Sequence, residues 1–111
     1  FFEEYYMPTI RTLVRHSEFD YDGSVAEGLI IQYASGHVHF SADLFNRLLA
    51  EHQGRSVRIG AIRGNNDAPQ GSLGGWLGNL EGHASHIAAI LVHEGYGTFN
   101  RQEGVGHILV A

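Results

Sequence analysis

Between Ser72 and Val110 the chain spells out two short helical stretches, a glycine-bearing break, and two strands split by a further glycine turn. Ser72 suits the N-cap of a helix running through Leu80, with Leu73, Trp76, Leu77 and Leu80 on one face. Gly74, Gly75 and Gly78 weaken that helix by about 1 kcal/mol each against alanine, so packing of Trp76 must hold it. Glu81-Gly82 breaks the chain direction. His83 to Glu94 is the better helix of this half, burying Ala84, Ile87, Ala88, Ile90 and Leu91, and Gly95 ends it. Tyr96 to Arg101 and Val105 to Val110 then read as strands around Gln102-Glu103-Gly104. No other stretch restricts the possible folds as much.

The N-terminal half is strand-rich. Thr9 to His16 alternates, with Ile10, Thr12 and Val14 on one face and Arg11, Leu13 and Arg15 on the other. Phe19 to Ser24 is turn chemistry, its Asp22-Gly23 pair supplying a positive-φ position. Gly28 to Ala34 is apolar and β-branched, and Ser35-Gly36 turns it back into His37 to Phe40. Ser41 caps a helix from Ala42 to Gln53, with Leu44, Phe45, Leu48 and Leu49 buried and Gly54 closing its C-terminus. Arg55 to Arg63 is a further strand, Val57, Ile59 and Ala61 facing inward, and residues 64–71 form a loop.

The expected class is therefore α+β: an antiparallel sheet of four N-terminal strands with one helix, followed by a helix-turn-helix and a C-terminal β-hairpin. At 111 residues one domain is expected, since halves would be too small to bury a core. Met7 could be an initiator, leaving Phe1–Tyr6 foreign to the protein; otherwise that segment is a native aromatic edge.

Composition excludes several chemistries. Hydrophobic residues at 43% and charged residues at 17% fit a globule and argue against disorder. Without cysteine there are no disulfides, no thiolate zinc sites and no thiol nucleophile. No apolar run approaches the roughly 20 residues that span a bilayer, and no secretory leader is visible, so no membrane partner and a cytoplasmic setting are expected. Seven arginines and no lysine face twelve carboxylates, for a net charge of −5. That balance disfavours strong non-specific nucleic-acid binding while leaving room for a local arginine patch.

The layout from Ser72 to Val110 resembles the winged helix-turn-helix superfamily over about a third of the chain, in order of elements rather than in a specific motif. The resemblance implies a recognition helix over His83–Glu94 and a wing over Gly97–Val110, which together grip nucleic acid. It would place Ser85, His86, Ala89 and His93 toward a groove, Asn100 and Arg101 of the wing on phosphate, and Arg63, Asn65 and Asn66 of the preceding loop in support. That helix carries no arginine or lysine, which departs from the usual base-reading set. Useful affinity would then need a homodimer presenting two helices to two half-sites. A protein-interaction module is the competing expectation, with a protein partner and no cofactor.

The eight histidines support a different class. His37 and His39, two apart on a strand, project from one face, and His86 and His93 share a helical stripe. Were the two sets to meet, they would offer zinc a three-histidine site with an open water position and Glu94 as general base, a small metal-dependent hydrolase. Arg11, Arg15 and Arg58 could likewise form an anion-binding sheet face. The Asp20–Ser24 segment is no calcium loop, because its glycine is misplaced and no glutamate closes it. The glycines at 71, 74, 75 and 78 fit no dinucleotide fingerprint, and no serine sits in a nucleophile context.

Overall fold

The computed structural model describes residues 9–60, 71–78 and 83–111. Four strands lie in sequence order in the first sheet, a meander of β1 (Thr9–Arg11), β2 (Glu18–Ser24), β3 (Gly28–Tyr33) and β4 (Gly36–Phe40). All its pairings are antiparallel. Three helices and three strands follow: α1 (Ala42–His52), β5 (Ser56–Arg58), α2 (Leu73–Leu77), α3 (Ala84–His93), β6 (Gly97–Gln102) and β7 (Val105–Val110). The second sheet runs β5-β7-β6, again antiparallel. The expected α+β architecture is present.

Two N-terminal segments differ from the sequence expectation. Thr9 to His16 is a strand only as far as Arg11. Beyond it the chain turns: His16 takes φ +59°, its N–H donates to the Thr12 carbonyl, and the Thr12 side chain accepts from the Ser17 N–H. Phe19 to Ser24, expected as a turn, is the long strand β2, because Phe19 and Tyr21 alternate inward on a buried face. Period-two burial outweighed the Asp-Gly turn signal, and the reversal falls after it, at 25–27. Gly23 itself has φ +100°, and an added Cβ would lie 2.4 Å from the Gly28 carbonyl oxygen, so the tight pairing there requires glycine. A third difference concerns β5, which pairs with β7 and not with the N-terminal strands.

The helix signals hold where the chain is described. Ser41 accepts from the Leu44 N–H at 3.2 Å and Ser72 from the Gly75 N–H at 3.0 Å. The expected turn at Glu81-Gly82 and the end of the second helix at Leu80 lie outside the described residues. One hydrophobic cluster joins both sheets: Phe19, Tyr21, Leu29, Ile31 and Phe40 from the first, Val57, Ile108 and Val110 from the second, Phe45 and Leu48 from α1, and Ile87, Ile90 and Leu91 from α3. Helix α3 is thus the central element. Its mid-section from Ile87 to Leu91 is buried on every side.

Candidate nucleic-acid interface

Strand alternation sorts the second sheet into an inner and an outer face. Val57, Ile108 and Val110 point into the core, so their neighbours Ser56, Arg58, His107 and Leu109 point away from it. The register puts Arg58 opposite His107 and His107 opposite Asn100, a row of three polar side chains crossing all three strands. Direct cross-strand neighbours lie about 5 Å apart at Cβ, so the three heads reach a common ligand. Ser56, Leu109 and Thr98 form a second row, with Gln102 and Val105 beyond. None of these outward residues is a carboxylate.

Side-chain bonds brace this face. Gln102 Nε2 donates to Ser56 Oγ at 2.7 Å and to Asn100 Oδ1 at 3.2 Å. His107 Nδ1 donates to the Val105 carbonyl at 2.9 Å, which fixes the ring and leaves Nε2 as its remaining polar atom. Arg101, near the hairpin tip, is on the sheet's other face with Phe99, where it lies over that ring at 5.6 Å and donates to the Gly104 carbonyl at 3.5 Å.

The meander's outer face has the opposite character. Glu18, Asp20 and Asp22 of β2 share it with Gln32 and with His37 and His39 of β4. The Thr9 hydroxyl donates to Asp20, and Arg11 is paired with Glu18 at 2.9 Å. Arg11, Arg15 and Arg58 therefore share no face: the first is in the acidic meander, the second in the turn after it, and the third across the second sheet.

The residues expected to line a groove from α3 are placed quite differently. Ala89 is 2% exposed and belongs to the core. His86 packs edge-on against Phe19 (centroids 4.7 Å) and Tyr33 (5.2 Å), and its Nδ1 is buried with no hydrogen-bond partner among the described residues. Ser85 is half-buried. His93 is exposed but lies edge-on to Tyr21 at 6.3 Å. His83 meets Phe40 and Tyr33, its Nδ1 2.6 Å from the Tyr33 hydroxyl. The meander's inner face covers the His86 part of the stripe that was expected to be free, because His83, His86 and the β2, β3 and β4 aromatics complete one core. Asn100 and Arg101 lie on the hairpin as expected, and Arg63, Asn65 and Asn66 fall outside the described residues.

Burial sets the protonation of this histidine layer. Desolvation lowers the His83 pKa, and it lowers that of His86 with a further contribution from the neighbouring His83. Burial likewise pushes the Tyr33 hydroxyl up to about 12.

The proposed convergence of histidines does not occur. Val38 and Phe40 face the core and Phe40 touches His83, so His37 and His39 point out of the opposite side of the sheet from His86 and His93. Among the described residues no group of three or more metal-binding side chains is found. Nor is any described helix long and apolar enough to cross a membrane.

What sequence reading missed were His107, Gln102 and Ser56, and the alignment of Arg58 with Asn100. The alternation within each strand was legible; the register that aligns β5 with β7 was not. Comparison with known proteins adds no constraint, since no family model, curated protein or solved structure matches the chain.

Proposed function

We propose that the chain is a non-enzymatic nucleic-acid-binding module, winged-helix-like from α1 onward, that holds a polynucleotide backbone against the outward face of β5-β7-β6. The observation that carries this reading is the Arg58–His107–Asn100 row on a face without carboxylates. The order α1-β5-α2-α3-β6-β7, with β7 between β5 and β6, supports the winged-helix likeness. Segregated charge supports a polyanion as ligand: Glu18, Asp20 and Asp22 lie on the meander's outer face, and the outward face of the second sheet presents Arg58.

In this reading the sheet and wing make the contacts, and α3 serves as their core support. Lifting the meander from α1 and α3 would expose Phe19, Tyr21, Leu29, Ile31 and Phe40 together. At about 1.5–3 kcal/mol for each such side chain, that approaches the whole folding free energy of a domain. Helix α3 is therefore not unmasked on demand. With few cations per chain, two copies on one strand would raise the affinity.

The test is a titration with labelled single-stranded and duplex DNA at low and moderate salt, read by anisotropy. Binding should weaken with salt at a log–log slope of about −1, matching the phosphate contact at Arg58. It should fall in Arg58→Ala and hold in Arg101→Ala, whose guanidinium lies on the Phe99 side of the sheet. Absence of binding at low salt, or binding indifferent to salt, would overturn the reading.

One observation favours a protein partner instead. Among the described residues β6 is a free sheet edge, and beside it Leu109, 44% exposed, borders an apolar cleft of about 380 Å³ with Gly54, Gly95, Gly97 and Thr98. A partner strand added to β6 would protect its outward amides from hydrogen exchange.

A further inference from the structure

A second cleft, of about 490 Å³, opens where the end of α1 meets α2. Glu51, His52, Arg55, Ser72 and Trp76 line it, with Gly71 and Gly75 leaving room at its mouth. Its size falls within the roughly 300–1,000 Å³ of small-molecule sites. His52, 7% exposed, stands edge-on to the Trp76 indole at 5.6 Å. His52 Nδ1 donates to the Leu48 carbonyl at 2.7 Å, which leaves Nε2 as the ring's remaining polar atom. Trp76 Nε1 donates to Glu51 Oε1 at 2.9 Å, and the Arg47 guanidinium lies over the indole at 5.7 Å. The Trp76 ring is thus held in place before any ligand arrives, while the carboxylate keeps acceptor capacity beyond the single indole bond.

The cleft adjoins the polyanion face. Arg55 links them, lining the cleft while standing immediately before Ser56 and three residues before Arg58 of β5. An aromatic wall, a fixed acceptor carboxylate and a neighbouring arginine suit one ligand: a flat heterocycle with an exocyclic amino group, attached to a phosphate.

Resting on the nucleic-acid reading above, we infer that this cleft takes an unpaired, amino-bearing base of a single strand whose backbone crosses Arg55 and Arg58. The base packs beside Trp76, and its amino hydrogens go to Glu51. Thymine, which has no exocyclic amino group, lacks that contact. A paired duplex cannot deliver a base to the cleft, so the module prefers single strands.

Trp76 is the chain's one tryptophan, so its emission reports on the cleft alone. The experiment titrates the full chain with labelled oligo-dC, oligo-dT and duplex DNA, following strand anisotropy and Trp76 fluorescence together. Oligo-dC should bind tightest and quench Trp76. Trp76→Phe should weaken oligo-dC about tenfold, within the range of base–aromatic stacking. Glu51→Gln, which retains an acceptor for the indole N–H, should narrow the dC-over-dT preference. Strands that bind by anisotropy with unchanged Trp76 emission, and equally well to Trp76→Phe, would overturn the base cleft and leave the sheet-face reading standing. No anisotropy change for any strand at low salt would overturn both.

Discussion

The Tyr21 hydroxyl donates to Glu94 Oε2 at 2.6 Å while the Val25 N–H donates to Oε1 of the same carboxylate at 3.0 Å. One side chain at the end of α3 thereby fastens both β2 and the turn that follows it. Tyr21 is 2% exposed, and its pKa is raised by burial first and then by its bond and charge interaction with Glu94.

Removing that carboxylate leaves two partly buried donors unpaired. Glu94→Ala should cost about 2–4 kcal/mol, and Tyr21→Phe, which retains the ring, about 1–1.5 kcal/mol. Denaturant unfolding of each single variant and of the double would check both. If the two losses add fully, the residues act independently and the proposed fastening is wrong.

Acid should loosen the layer between meander and α3. His83 and His86 have folded-state pKa values below the unfolded value of 6.5. The unfolded chain therefore takes up protons first, so stability is fully present above pH 6.5 and is lost as pH falls below it. His86→Phe preserves an aromatic edge against Phe19 and Tyr33 and should flatten this dependence. Melting temperatures between pH 7.5 and 5.5 decide the matter; an equal decline in the variant would remove His86 as the cause.

Ala89 separates a reading helix from a supporting one. Ala89→Arg would add a cation if the position faced a groove, tightening DNA binding. Buried at 2% exposure, it should instead overpack the core with an unpaired charge and cost more than about 3 kcal/mol. A stable Ala89→Arg protein with improved DNA affinity would contradict the placement of α3.

Arg58 and Arg101 should differ in affinity and not in stability, since both are exposed but on opposite faces of the second sheet. Arg101→Ala should leave the salt slope as it is, whereas Arg58→Ala should lower its magnitude by about one, each with a melting temperature within a degree or two of the parent. An unchanged slope in Arg58→Ala would place the phosphate elsewhere.

Local chemistry was readable without the fold. Ser41 and Ser72 cap the helices they precede, and Ala84, Ile87, Ala88, Ile90 and Leu91 are buried as their helical spacing implied. The strands Gly97–Gln102 and Val105–Val110 lie within a residue of where the glycine turn placed them. Such features depend on neighbours within a few residues, and those are written in the chain.

Tertiary structure alone decided which side of α3 is covered. The polarity of Ser85, His86 and His93 marked that stripe as free, but Phe19 and Tyr33 fold over His86, and aromatic edges accept an imidazole that a charged side chain could not replace. It also decided that β5 joins β7, which aligns Arg58, His107 and Asn100 from three separated segments. Register between distant strands is set by the summed burial of both sheets against the helices, a property no window of sequence contains.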